Sequence, residues 1–173
     1  MRTPVFELHI RPMFRSIDRE HMMNLFGDWF DLWSCDVLQE HIDRVIESLE
    51  ADFGMPPVGK GGPWPPEWIA LLRRWKQTGF KRLKLGSGSY EVFRTEDVVE
   101  LVASFTLPAP GWAGWLELES RTEDSRTYAL YFEEPDEPQE GSGEQVDVSE
   151  QFTGVDKLFV RDAQGLSQVE IPS

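Results

Sequence analysis

The sequence predicts an α+β chain in two parts: a small helical domain over residues 1–84, then an antiparallel β-sandwich or barrel-like domain over residues 85–173. Three observations carry this prediction. Apolar residues recur at helical spacing in the first half and alternate in the second, the two periods that separate amphipathic helices from half-buried strands. The change falls at Lys84-Leu-Gly-Ser-Gly-Ser89, a cluster with the composition of a short linker or turn. The charge divides at the same place: residues 1–84 hold 12 acidic and 12 basic side chains, whereas residues 85–173 hold 19 and 5 and carry the whole net charge of −14.

Residues 4–24 read as helical, with Phe6, Ile10, Met13 and Phe14 on one face. Pro12 must kink or split that helix, since it has no N–H and its ring clashes with the preceding turn. Phe26–Trp33 is aromatic and irregular, an ordered loop. Residues 35–50 form the clearest helix, capped by Ser34 or Asp36, with Leu38, Ile42, Val45, Ile46 and Leu49 as its buried stripe. Met55-Pro56-Pro57 is a stiff extended segment, followed by a turn at Gly59, Gly61 and Gly62. Pro65-Pro66-Glu67 starts a helix carrying Trp68, Leu72 and Trp75 on one face, with Ile69 and Leu71 beside it, and stopping near Gly79. Strands are expected at 90–93, 98–107, 114–119, 126–133, 157–161 and 167–171, separated by turn chemistry such as Pro108-Ala-Pro-Gly111. The stretch Glu133–Glu150, with eight acids and no basic residue, reads as a long mobile loop.

Composition narrows the function classes. No run of 18 apolar residues is present, so no transmembrane helix is expected, and the N-terminus lacks a secretory pattern. A cytoplasmic location is the default. The acidic half should repel nucleic acid and anionic lipid; its ordinary reading is solubility, and its sharper one a docking face for a basic partner. Cys35 is the single cysteine, so no internal disulfide forms. It lies where a helix N-terminus lowers a thiol pKa, but a catalytic cysteine also needs a base, and His41, six residues on, is off its helical face.

The remaining candidates each have an ordinary reading. His9, His21, His41 and Cys35 are a conceivable metal set without a recognised ligand spacing. Asp28 and Asp31 are a conceivable carboxylate pair, and equally turn formers. Arg73, Arg74, Lys76, Lys81, Arg82 and Lys84 put six cations in twelve residues beside Trp68 and Trp75. That mix suits nucleic acid, but more simply it complements a helix C-terminus and faces the acidic β part. Trp112 and Trp115, three apart around glycine, suit a sugar or proline-rich peptide, or a core.

Ile10-Arg11-Pro12, Phe30-Asp31-Leu32, Met55-Pro56-Pro57 and Trp68–Gly79, with Trp75 four before the glycine, occur in the order found in bacterial c-type cytochrome domains. Residues of about 4–80 resemble that family. They are still more similar to uncharacterised bacterial proteins with the same order and no heme motif, through Ile10–Arg15, Phe30–Trp33, Met55-Pro56 and Trp64-Pro65. Where a c-type cytochrome carries CxxCH, this chain has Phe14-Arg-Ser-Ile-Asp-Arg-Glu-His21, so no thioether to heme can form. The resemblance implies a heme-less cytochrome-c-like domain with no cofactor, aromatic side chains filling the space of the heme, and Met55 at the position of an axial methionine. It also implies an accessory or protein-interaction role, as partner of a bacterial oxidoreductase; the contact residues expected from the residues themselves are Trp68, Arg73, Arg74, Trp112 and Trp115. Two alternatives stay open: a redox, metal or heme protein using His9, His21, His41 or Met55, and an enzyme with a site at the helical–β junction drawing on Asp28, Asp31, Arg73 or Arg74.

Overall fold

The computed structural model describes residues 2–51 and 63–172. The expected turn at Met55-Pro56-Pro57 and Gly59–Gly62 lies outside the described residues. The chain is α+β, helices first and strands after, and it divides into two compact units, Met1–Arg82 and Leu83–Ser173.

In the helical unit the first segment is broken in the way Pro12 demands. A π-helical turn at Phe6–Ile10 runs into a 3-10 turn at Arg11–Met13, and only then does α1 (Ser16–Phe26) begin. Phe6, Ile10, Met13 and Phe14 nevertheless reach one core. The start of α1 is closed by Asp18, whose carboxylate accepts from the Arg15 backbone N–H at 3.1 Å and from its guanidinium. In α2 (Cys35–Glu50) Ser34 is the cap, its hydroxyl accepting from Val37 N–H at 3.4 Å, and the stripe from Leu38 to Leu49 is buried.

In α3 (Pro66–Gln77) the C-terminus is a complete Schellman motif. Gly79, at φ +85°, donates to Lys76 C=O, and Phe80 donates to Trp75 C=O at 3.0 Å. The Phe80 ring packs edge-on against Trp75 at 4.9 Å, the apolar contact that accompanies this motif. Trp75 is fully buried, packs on Phe6 at 5.5 Å, and donates Nε1–H to Lys81 C=O at 2.9 Å. The expected face is corrected by one position. Trp68 is 41% exposed, and Ile69 turns toward the core with Leu72 and Trp75 instead. Trp68 rests edge-on against buried Trp64 at 5.5 Å.

Among the described residues the β unit has eight strands: β1 (Lys84–Leu85), β2 (Gly88–Thr95), β3 (Val98–Thr106), β4 (Ala113–Arg121), β5 (Ser125–Glu133), β6 (Gln145–Thr153), β7 (Lys157–Asp162) and β8 (Gly165–Val169). One sheet runs β2-β3-β6. In the other, β5 pairs with β4 along one edge and with β1 and β7 along the other, and β8 follows β7. The two sheets share one core, including Leu101 and Phe105 of β3, Leu130 and Phe132 of β5, and Leu158 and Val160 of β7.

Two expectations fail here. The stretch Glu133–Glu150 is not all loop, because β6 pairs with β3 along its whole length. Val146, Val148 and Phe152 alternate toward the core, and the acids between them mask that period in the sequence. Nor is the unit wholly antiparallel. β5 and β7 pair in parallel from Ser125↔Lys157 to Ala129↔Arg161, because the chain between them crosses to the other sheet to make β6.

Candidate functional site

The helical unit carries an apolar cleft of about 240 Å³. Phe14 and Trp64 form one part of its wall, in ring contact at 5.0 Å. Met22, Leu25 and Phe26 come from α1, Trp29, Phe30 and Leu32 from the loop after it, and Val45 and Leu49 from α2. Gly27, at φ +99°, ends α1 and turns the chain so that Trp29 stands edge-on to Phe30 at 5.3 Å. The loop is pinned by Arg19, which grips Asp31 with two hydrogen bonds of 2.6 and 2.7 Å and lies 4.8 Å over the Trp33 ring. Trp33 in turn donates Nε1–H to Phe14 C=O at 2.8 Å.

An amphipathic surface helix ordinarily buries one stripe, but none of the side chains of α1 is buried. Ile17 is 54% exposed, Leu25 60% and Phe26 47%, and Trp29 beside them is 57% exposed. The cleft therefore opens onto apolar surface rather than being closed by it.

Two carboxylates are held as fixed charges, Asp18 in the wall of the cleft and Asp31 in the loop beside it. Hydrogen bonding from Arg15 keeps Asp18 below the usual carboxylate range, and Arg19 does the same for Asp31. General acid catalysis near neutrality needs a carboxyl displaced upward, and these two move the other way. Asp31 is thus a structural anchor, while Asp28 is exposed beside Trp29.

The other sequence candidates are scattered. His9 accepts from Val5 N–H at 2.9 Å through Nδ1, a local contact. His21 is exposed on α1, and His41 lies against the rings of Trp29 and Phe30 at 5.5 and 5.2 Å. Met55 lies outside the described residues. Among the described residues no three His, Cys, Asp or Glu side chains gather as a metal site would require. For Cys35 the dipole expectation is overturned: burial, and then Glu7, push the thiol up to about 11, so it is not a thiolate at neutral pH.

Several cations of the basic cluster pair within their own unit. Arg73, Lys76 and Arg82 pair with Glu50, Asp43 and Asp36, all acids of α2 in the same unit. The two helices lie side by side in the core, and their outer charges meet across the seam. Arg74 donates to Arg2 C=O. In the β unit Lys84 stands 4.9 Å over the Trp112 ring and pairs with Glu134 at 2.6 Å. Trp115 donates Nε1–H to Glu117 at 3.2 Å.

Compared with known proteins, the chain matches no family model, no curated sequence and no solved structure. Among the described residues no helix is long and apolar enough to cross a membrane.

Proposed function

We propose that this is a non-catalytic protein-interaction protein, and that the cleft of the helical unit receives apolar side chains of a protein partner. One observation carries the reading: α1 and the Trp29 loop leave large apolar side chains in solvent around an apolar cleft. Exposed apolar patches of this kind mark interaction surfaces. The fixed charges around the cleft supply orientation rather than proton transfer. On this reading the helical unit is a heme-less counterpart of a cytochrome-c-like domain, its aromatic side chains standing where the resemblance would place a heme. The β unit is a two-sheet sandwich whose acidity keeps the protein soluble in the cytoplasm and turns it toward basic partners.

Site-specific photo-cross-linking in the native cell tests this. A benzoylphenylalanine in place of Trp29 is expected to give a discrete adduct with one protein. The same probe at Leu166, an equally exposed apolar position on the β unit, should not give that adduct, and Leu25→Asp should abolish the adduct at position 29. Identical adducts at both positions, or an adduct indifferent to Leu25→Asp, would refute the reading.

The alternative, a prosthetic-group protein, draws on His41, the imidazole ring seated against Trp29 and Phe30. An absorption spectrum separates the two.

A further inference from the structure

At the far end of the β-unit core the hairpin between β4 and β5 forms a hollow lined by Arg121, Thr122, Glu123, Arg126, Thr153 and Gly154. Arg121 and Arg126 are direct cross-strand partners. Their meeting depends on a bulge. Between Leu118↔Tyr128 and Ser120↔Thr127 the strand β4 has one residue more than β5. Side chains alternate in a strand, so one inserted residue moves everything beyond it to the opposite face. Tyr128 and Leu130 belong to the core, so Arg126 lies on the core face of β5. Without the bulge Arg121 would point away from it. With the bulge, exposed Arg121 stands opposite buried Arg126 on the same face of the strand pair, and both line the hollow.

Like charges directly opposite each other across a strand pair are destabilising, and this pair stands in an otherwise acidic unit. Arg126 is only 7% exposed. Its Nη1 donates to Thr122 C=O and Ser125 C=O, each at 3.0 Å, and among the described residues no carboxylate pairs with it. A buried guanidinium compensated only by carbonyl dipoles retains an uncancelled charge, and its remaining N–H groups can still bind an anion. Asp124, one of the two acids of the turn, is taken by Thr122 and Lys157 instead.

We propose that this hollow is an oxyanion site for a phosphate group, carried free or as a monoester. The paired guanidinium forks match phosphate geometry and would convert a repulsive cross-strand pair into a bridged one. Glu123 lines the same hollow and opposes the bound charge.

Calorimetric titration of the full chain, at ionic strength held constant with chloride, tests the proposal with inorganic phosphate and with glycerol 3-phosphate. Saturable binding of phosphate is expected. Arg121→Gln should weaken it at least about tenfold, the loss of one charged hydrogen-bonding partner, and Glu123→Gln should tighten it. Arg126 is left in place because it also closes the hairpin. In phosphate-free buffer of low salt Arg121→Gln should be at least as stable as the parent, since a like-charge contact has gone. Tighter binding of the ester would identify a phosphomonoester as the ligand, and equal binding free phosphate. A response no different from chloride, or parental phosphate binding by Arg121→Gln, would overturn the proposal. So would a less stable Arg121→Gln in phosphate-free buffer, which would show the pair already compensated within the chain.

Discussion

Trp75→Ala is the substitution that probes the helical unit most severely. The side chain is fully buried, touches Phe6 and Phe80, and donates Nε1–H to Lys81 C=O. An indole buries about 150–250 Å², which at about 25 cal/mol per Å² is a transfer term of about 4–6 kcal/mol. Alanine recovers part of that contact and leaves a cavity, so a cost of about 3–5 kcal/mol is expected. The hydrogen bond adds little of this, because Lys81 C=O also accepts from Phe6 N–H at 2.9 Å and is not left bare. Trp75→Phe, which keeps a ring between Phe6 and Phe80, should therefore cost only about 1–2 kcal/mol. Urea denaturation followed by the helical circular dichroism signal is the assay. With slopes of about 1–3 kcal/mol/M, Trp75→Ala should lower the midpoint by at least about 1 M. An unchanged midpoint would refute both the core assignment and the Schellman geometry that seats the ring.

Two further perturbations concern the β unit. Tyr90 donates its hydroxyl to the buried Asp162 at 3.0 Å, and Tyr90→Phe leaves that carboxylate with the Gln164 N–H, at a cost of about 1–2 kcal/mol. Burial, and then the bond to Asp162, raise the Tyr90 phenol above its ordinary value of about 10. Its contribution is complete below that value and is lost as pH rises through the folded-state value, so stability should fall above about pH 10. Tyr90→Phe should flatten that decline without abolishing it, since burial raises Tyr128 as well; an unaltered alkaline slope would contradict the assignment. Gly143→Ala tests the loop before β6: an added Cβ would stand 1.5 Å from Leu107 C=O, a backbone atom that cannot swing aside. A loss of about 1–3 kcal/mol or more in thermal unfolding is expected, whereas a free loop would tolerate the change.

How much was legible in the sequence differs by element. α2 and α3 stand where their stripes and caps put them, because both bury a local 3.6-residue period. Trp68 misled because the arc chosen was one residue off, and a Trp at i with Leu at i+4 looks as convincing as Ile69 at i with Leu72 at i+3. β6 was hidden by acids between Val146, Val148 and Phe152, where composition outweighed alternation. The parallel pairing of β5 with β7 had no local signal, since it depends on which sheet the intervening strand joins. The cleft was illegible for a similar reason. Phe14, Met22, Trp29, Leu32, Val45 and Trp64 come from separate stretches and share no period. For the arginine hollow half the signal was present: Arg126 continues the alternation of Tyr128, Leu130 and Phe132. The other half required the bulge that re-aims Arg121, which no residue in β4 announces.

On the proposed reading the helical unit holds protein side chains rather than a prosthetic group. The most direct check is an absorption spectrum with elemental analysis of protein purified without added metal. A colourless protein with no stoichiometric metal, its cleft open to a partner, is expected. A Soret band, or a metal at one equivalent, would contradict it and make His41 and the cleft aromatics the residues to substitute first.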